Sequence, residues 1–578
     1  MKVILAKKAG FCMGVRRAVE TTLDTVHKGE GKITTFGPLI HNPQVLGMLR
    51  EQGVDILTEI PDKMDGTVII RAHGIPPTHK QKLMAAGAEV KDATCPRVVK
   101  VQAIIKKFKE NHYTTIIIGD KNHAEVVGLM GYAEPDVQVV SDEKDVELLR
   151  ISGPYIIVSQ TTQDEMAFQR LSEGILARFP DGKLFNTICD STHKRQDEVR
   201  NLAGKVPAMV VVGGRGSANT QRLGQIASEM GCRVFMAETE TDLDFQVISQ
   251  FNRIAVTAGA STPTWMINRI VRALESCPAR DEGLLKTSFF RLIRALLASN
   301  LFVGVAGGVL AVVCGLLQNR DPEMNDFFIA FGYLLAMHNT NRFTDFKSER
   351  INDPVQESFW KKFSLPLIFI SVAALIFSLY LARQQGAAQF VILLIMSLLG
   401  ILYNVPIIPK IVASIIHVRK LKEIPGSKTF FVALAWAFAT VMIPTLNKDP
   451  FSAQTFSIFM LIVLFVFIRT LLYDVFDVQG DRIAGKETLP VCVGEKGSIR
   501  LLYFSMGVLA LLLLVFAFSG LTEKSVLWLL VPVLSLLLLT RLYETRKLVQ
   551  GMRLEFWLES HFYLMALCVW AGVMLGKL

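Results

Sequence analysis

The chain has 578 residues, 51% hydrophobic and 20% charged, with 62 Lys and Arg against 52 Asp and Glu, a formal net charge of +10. A mean hydropathy of +0.37 is too apolar for an ordinary soluble protein. Disordered, collagen-like and disulfide-stapled secreted classes are excluded, and two unlike halves are expected, one soluble and one embedded in a membrane.

The positive excess sits largely in short loops between apolar runs. That pattern reads as membrane topology, not as a groove for nucleic acid. The eight cysteines are irregularly spaced with no CxxC pair, so neither a disulfide framework nor a zinc ribbon is expected. The opening MKVILAKKAGFCMGV has a four-residue apolar run before two lysines. It does not read as a signal peptide, and the first half is expected in the cytoplasm.

Residues 1 to about 280 alternate strand and helix patterns. Apolar, β-branched runs predict buried strands at Val3–Leu5, Thr67–Ile70, Thr114–Ile118, Tyr155–Val158, Ala208–Val212 and Ile254–Val256. Helical patterns such as VRRAVETTLDTV and EMAFQRLSEGILARF follow polar or glycine-bearing turns, which predicts an α/β fold with parallel or mixed sheets. The polar stretch Ser276–Lys286 reads as a linker, giving a soluble domain over 1–277, a linker over 278–289 and a membrane domain over 290–578.

Nine apolar segments follow, at 292–316, 325–340, 364–382, 387–404, 429–446, 453–473, 501–519, 525–541 and 556–575. Most reach the roughly 17–25 residues that cross a bilayer; the second is short and runs into polar residues. Loops 341–363, 405–428, 474–500 and 541–553 carry four or five Lys and Arg each. The alternate loops carry one each: Arg320, Arg383, Lys448 and Lys524. This bias predicts a multi-pass protein of the cytoplasmic membrane, with the soluble half inside and the C-terminus outside.

Three cysteines share one context. Cys12 (GFCMGV), Cys95 (DATCPRV) and Cys189 (NTICDST) each follow a strand and precede a helix, 83 and 94 residues apart, as if one came from each of three similar lobes. Thiolates at the carboxyl ends of strands can converge in one crevice and suit an iron–sulfur cluster that leaves one iron without a protein ligand. Inert burial is the commoner fate of free cysteine, but the histidines weigh against it. His41 (GPLIHNP), His73 (RAHGIPP) and His123 (GDKNHAEVVG) again follow strands and open helices, where a polyanion is favoured. Ser217 and Asn219 (GGRGSANT) and Ser261 (TAGAST) add donors at two further strand ends, and the set suits a diphosphate. Glu125, two residues after His123, is the natural proton source.

These motifs, with SQTT and NTICDST…RQ, resemble the 4-hydroxy-3-methylbut-2-enyl diphosphate reductase (LytB) family over residues 1–277. The resemblance implies a trefoil of three similar α/β lobes around a 4Fe–4S cluster ligated by Cys12, Cys95 and Cys189. His41, His73, His123, Ser217, Asn219 and Ser261 would hold the substrate diphosphate, Glu125 would relay protons and Thr161 would lie near the substrate hydroxyl. The implied reaction takes up two electrons and two protons, releases water and gives isopentenyl and dimethylallyl diphosphate. No flavin or nicotinamide fingerprint is visible, so the electron donor would be a ferredoxin or flavodoxin.

In the membrane half, Asp474, Asp477 and Asp481 are spaced i, i+3, i+7, so one helix would present all three on a face. Carboxylates at a membrane boundary call for a partner, and magnesium bridging them to a diphosphate would supply it. Asn341, Asp345 and Glu349 are spaced i, i+4, i+8 at the end of the second segment. With LYNVPIIPK…RKLKEIPGSK, these features resemble the UbiA prenyltransferase family over about 290–578, an all-α polytopic bundle of about nine transmembrane helices. The family usually shows Asn-Asp or Asn-Gln where this chain has Asn341-Arg342, and an aspartate where it has Glu349. Lys422, Lys428, Arg350 and Arg482 could neutralise a diphosphate or serve only as topology charges. Two alternatives stand beside prenyl transfer: a catalytically inert anchor or scaffold, and a transporter.

Overall fold

A computed structural model of the chain describes all residues except 30, 278–283, 345–353, 404, 406–423, 425, 449, 484–485, 487, 546–547, 549–550 and 577–578. It divides into two compact units, Met1–Ile270 and Val271–Leu578. The segment expected to link the halves lies partly outside the described residues, and from Leu284 to Ala298 the chain is helical.

The described residues of the first unit form twelve strands: β1 (Lys2–Leu5), β2 (Ile33–Phe36), β3 (Val54–Leu57), β4 (Thr67–Ile70), β5 (Glu89–Asp92), β6 (Thr114–Ile118), β7 (Val137–Val140), β8 (Tyr155–Ser159), β9 (Lys183–Leu184), β10 (Ala208–Val212), β11 (Arg233–Ala237) and β12 (Arg253–Ala258). They form three four-stranded sheets, ordered β1-β12-β10-β11, β3-β2-β4-β5 and β7-β6-β8-β9. The pairings are parallel, as in Thr115↔Ile156 of β6 and β8 and Val210↔Val256 of β10 and β12. Most interior strands read as apolar runs because helices cover both faces, whereas the interior β2 reads ITTF. Ile116, Ile117 and Ile118, and all of Ala208–Val212, are wholly inaccessible. Each fully buried aliphatic side chain contributes about 1.5–3 kcal/mol relative to exposure.

The three sheets share one plan. Each is a lobe with two interior strands, one edge strand leading to a cysteine, and a second edge strand away from the site. The first sheet is assembled from both ends of the unit: β1 from its start, β10–β12 from its end.

The second unit is helical. Among the described residues, six helices are long and apolar enough to cross a membrane: Gln356–Gln385, Ser427–Thr445, Ala453–Ile483, Glu495–Phe518, Lys524–Glu544 and Met552–Met574. The pair Ser288–Ala298 and Leu301–Leu317, bent by 74° at Asn300, whose φ is +58°, makes a seventh if its two parts form one span. Of the nine expected segments, six or seven meet that length and composition among the described residues. Residues 387–402 form a helix of 16 residues, about 24 Å at 1.5 Å per residue, short of a core about 30 Å thick. Met324–Thr344 is long enough at 21 residues, but it ends in the polar run HNTNRFT. It is buried among its neighbours, with Tyr333, Leu334 and Asn339 nearly inaccessible. Leu365, Phe369, Phe504 and Leu534 instead present more than half of their surface outward, as lipid-facing residues do.

Candidate functional site

In the first unit, the carboxyl ends of nine strands deliver every residue singled out in the sequence to one cavity of about 90 Å³. The edge strands β1, β5 and β9 lead to Cys12, Cys95 and Cys189, each the N-cap of the helix that follows: Met13–His27, Pro96–Lys109 and Asp190–Ala203. Interior strands lead to the rest: β2 to His41, β4 to His73, β6 to His123 and Glu125, β8 to Thr161, β10 to Ser217 and Asn219, and β12 to Ser261.

The thiols are close neighbours. Burial pushes the Cys95 thiol up, and the nearby Cys12 and Cys189 add to this, while the N–H groups of Arg97 and Val98 act in the opposite direction. Gly14 is required here: a Cβ on it would lie 2.4 Å from Cys95 Sγ. Three clustered thiols at helix N-termini become stable thiolates when a metal takes their protons' place. The donor set therefore fits an iron–sulfur cluster.

The imidazoles of His41, His73 and His123 pack with ring centroids 4.7–5.7 Å apart. Burial is the largest cause holding all three below the usual histidine range, and Arg71 lowers each further. His123 is lowered to about 4, although Asp120 raises it. His41 Nε2, His73 Nδ1 and both amide atoms of Asn219 are buried without a hydrogen-bond partner in the protein, a state that costs about 1–3 kcal/mol per group until a ligand fills it. His123 Nδ1 accepts from the Glu125 N–H (3.2 Å), which leaves Nε2 as the donor of the neutral ring. Ser217 Oγ accepts from the Thr220 N–H (3.4 Å) and keeps its hydroxyl proton to give. Ser261 Oγ donates to the His41 carbonyl (3.1 Å), tying the loops of two sheets together. Three imidazoles within reach of one another could also hold a cation. The Arg71 charge and the surrounding hydroxyl and amide donors favour an anion.

Glu125 is 1% exposed. Thr161 donates twice to it, from its backbone N–H to Oε1 (2.6 Å) and from its hydroxyl to Oε2 (2.8 Å). Burial raises its pKa to about 7 against the pull of both hydrogen bonds, a value suited to giving a proton near neutrality.

The second unit holds a larger cavity, about 220 Å³, lined on one side by Asn341, Arg342, Asp477, Asp481, Lys428 and Lys486. Asp345, Glu349, Arg350 and Lys422 lie outside the described residues. Asp477 and Asp481 share a face of the helix Ala453–Ile483, but Asp474 turns to the neighbouring helix, where Lys428 Nζ (3.1 Å) and Thr429 Oγ1 (2.8 Å) take its two oxygens. The inner wall carries a group the motif reading passed over. Arg469 pairs with Glu559 through both its Nε (3.1 Å) and Nη2, and Tyr473 donates to the same carboxylate (2.8 Å). The guanidinium lies 5.2 Å from the Trp436 ring centre, and Trp436 Nε1 donates to His338 Nε2 (3.2 Å). A charge inside each of two apolar segments was the available signal.

Comparison with known proteins matches both halves of the chain. Residues 3–275 match the LytB protein family and residues 360–567 the UbiA prenyltransferase family. A 4-hydroxy-3-methylbut-2-enyl diphosphate reductase of Geobacter sulfurreducens is 39% identical over 283 residues, 49% of this chain and 100% of that protein. A solved (E)-4-hydroxy-3-methyl-but-2-enyl diphosphate reductase is 36% identical, covering 48% of this chain and 99% of its own, with a TM-score of 0.39. A UbiA homolog from Archaeoglobus fulgidus, solved with GPP and Mg2+, is 16% identical, covering 50% of this chain and 99% of its own, with a TM-score of 0.34. The chain belongs to the 4-hydroxy-3-methylbut-2-enyl diphosphate reductase (LytB) family and fuses that enzyme domain to a helical membrane domain of the UbiA prenyltransferase family.

Proposed function

We propose that the first half reduces 4-hydroxy-3-methylbut-2-enyl diphosphate to isopentenyl and dimethylallyl diphosphate. The observation that carries this reading is a single cavity lined by three thiols and three imidazoles, two of which, His41 and His73, keep a buried nitrogen without a partner in the protein. A 4Fe–4S cluster held by Cys12, Cys95 and Cys189 would supply the two electrons singly. The protein's own groups do the rest. His41, His73, His123, Ser217, Asn219 and Ser261 hold the diphosphate, and the imidazoles take up protons as the anion enters. Thr161 sits by the substrate hydroxyl and connects it to Glu125, which holds a proton near pH 7 and gives it as water leaves. Burial of the cavity keeps bulk water from competing. A ferredoxin or flavodoxin supplies the electrons. Anaerobic purification of the full chain, iron and sulfide quantitation and a reductant-driven assay test the reading. Four irons with turnover support it; a reconstituted protein with neither refutes it.

The membrane half, in this reading, transfers a prenyl group from a prenyl diphosphate to an acceptor within the bilayer. Asp477 and Asp481 on one helix face suit magnesium, with Asn341 across the cavity, and the basic loops support a cytoplasmic face for this cavity and an outside C-terminus. Magnesium-dependent labelling of an acceptor panel by a radioactive prenyl diphosphate tests it, and labelling unaffected by Asp477→Asn refutes the site.

A further inference from the structure

The three helices that begin at the thiols of the first unit are also joined to one another. Arg17, on the helix Met13–His27, donates to the carbonyl of Thr94 (3.2 Å), the residue immediately before Cys95. Arg97, on the helix after Cys95, pairs with Asp190 (3.0 Å), the residue immediately after Cys189. Arg195, on the helix after Cys189, donates to the carbonyl of Gly10 (2.5 Å) in the loop before Cys12, and to that of Ala258 (3.2 Å) at the end of β12. Each cysteine helix thus carries an arginine that reaches the next cysteine's loop, always in the same direction, and the third link returns to the first lobe. A second bond recurs inside each lobe. The N–H groups of Cys12, Cys95 and Cys189 donate to the carbonyls of Ala260, Ala72 and Thr161 at 2.9–3.0 Å, in the loops that carry Ser261, His73 and Thr161. The links differ in their setting. Arg97 keeps 45% of its side chain accessible, where an ion pair is weak. Arg195 is 4% exposed, and a buried guanidinium forked across two carbonyls makes strong, directional bonds.

We propose that Arg17, Arg97 and Arg195 are positioning residues: a closed ring of arginines that holds the three thiols at one mutual spacing for an iron–sulfur cluster, with Arg195 as its buried closing member. The assignment rests on the reading of Cys12, Cys95 and Cys189 as cluster ligands. One cluster must be met by thiols from three lobes, and each thiol is already tied to its own sheet by its N–H. The spacing between thiols is therefore set by bonds that cross from lobe to lobe, and the ring places one at each of the three seams. Groups that orient metal ligands govern how firmly the metal is kept. The in-lobe bonds give the ring a second effect, because they carry the same registration to His73, Thr161 and Ser261.

The test uses the full chain in detergent, reconstituted anaerobically, and follows iron release to excess bathophenanthroline together with the EPR signal of the dithionite-reduced protein. Arg195→Gln should release iron about tenfold faster or more and shift the EPR signal. Arg195→Lys keeps the charge without the fork and should release iron nearly as fast as Arg195→Gln. Arg17→Gln and Arg97→Gln, at exposed positions that tolerate change, should each speed release about two- to threefold, and they carry the test if the Arg195 variants do not fold. Together they should fall short of the product of the single effects, because either one already opens the ring. Arg269→Gln is the control: it breaks a two-bond pair with Glu240 elsewhere in the first lobe, and should lower the melting temperature while leaving iron release and the EPR signal as in the wild type. Wild-type release in Arg195→Lys, effects that multiply in the Arg17/Arg97 double variant, or faster release in Arg269→Gln would each overturn the ring and leave the cluster reading standing. Wild-type protein that takes up no cluster on reconstitution overturns the cluster reading and the ring with it.

Discussion

The Thr161–Glu125 pair offers the sharpest check on the reductase chemistry. Thr161→Val deletes the hydroxyl that donates to Glu125 Oε2 at 2.8 Å and keeps the backbone N–H on Oε1 at 2.6 Å. A hydrogen bond to an ionised group contributes about 1.5–3 kcal/mol, and each pKa unit corresponds to about 1.4 kcal/mol. The hydroxyl stabilises the carboxylate, so its loss raises the pKa, from about 7 to about 8–9. In the proposed role Glu125 gives a proton only while protonated, so activity should fall above its pKa, and raising the pKa should carry that fall to higher pH. The profile of kcat/KM reports the free enzyme. Measured anaerobically in Thr161→Val, its alkaline limb should move up by about one to two units while the maximum drops, and Thr161→Ser should restore both. Glu125→Gln should abolish the limb and cost about 10²–10⁴ in turnover. An alkaline limb in Thr161→Val that stays put, or moves down, would refute the proton path.

Cys95→Ser should lose iron and sulfide, whereas Cys232→Ser should retain both, because Cys232 is buried in a separate core where its thiol donates to the Val206 carbonyl. Calorimetry with inorganic pyrophosphate in buffers of different ionisation heat should show proton uptake. The histidines are held uncharged by burial, so an entering anion raises their pKa values and affinity should strengthen as pH falls from about 7 toward about 5; pH-independent binding would exclude them from the site. Glu559→Gln should destabilise the membrane unit by about 3–5 kcal/mol, since it leaves the Arg469 charge buried alone, while Arg469→Met with Glu559→Met should cost far less. Thermal denaturation in detergent checks the difference.

The six strands expected from sequence are all present, with ends shifted by at most two residues. Five are interior strands, legible because a strand covered on both faces must be largely apolar; the sixth, the edge strand β1, is only partly buried but still carries the apolar run Val3–Leu5. The other six were not. Five are edge strands such as β5, Glu89–Asp92, whose half-exposed EVKD carries no apolar run. The interior β2 was hidden for another reason: its Thr34 and Thr35 are buried at 6% and 1% exposure, so a polar composition conceals a core position. In the membrane half, periodicity found the helices but not which were long enough to span, since Met324–Thr344 satisfies length and fails on hydropathy.

The difference between the two sites follows from how each is built. In the soluble half the chain repeats one device, a strand end feeding a helix N-terminus, so the chemistry recurs in register: a cysteine after each of β1, β5 and β9 and a polar donor after each interior strand. Because the first sheet is closed by both ends of the unit, Cys12 leads the series and its lobe partners Ser217, Asn219 and Ser261 come last. That order looks irregular until the sheets are known. The membrane cavity has no repeat to read. Its aspartates share a helical spacing, yet Asp474 leaves the shared face because Lys428 and Thr429 on another helix provide better partners than the cavity does. Spacing along one helix limits which residues can act together; the neighbouring helix decides which of them do.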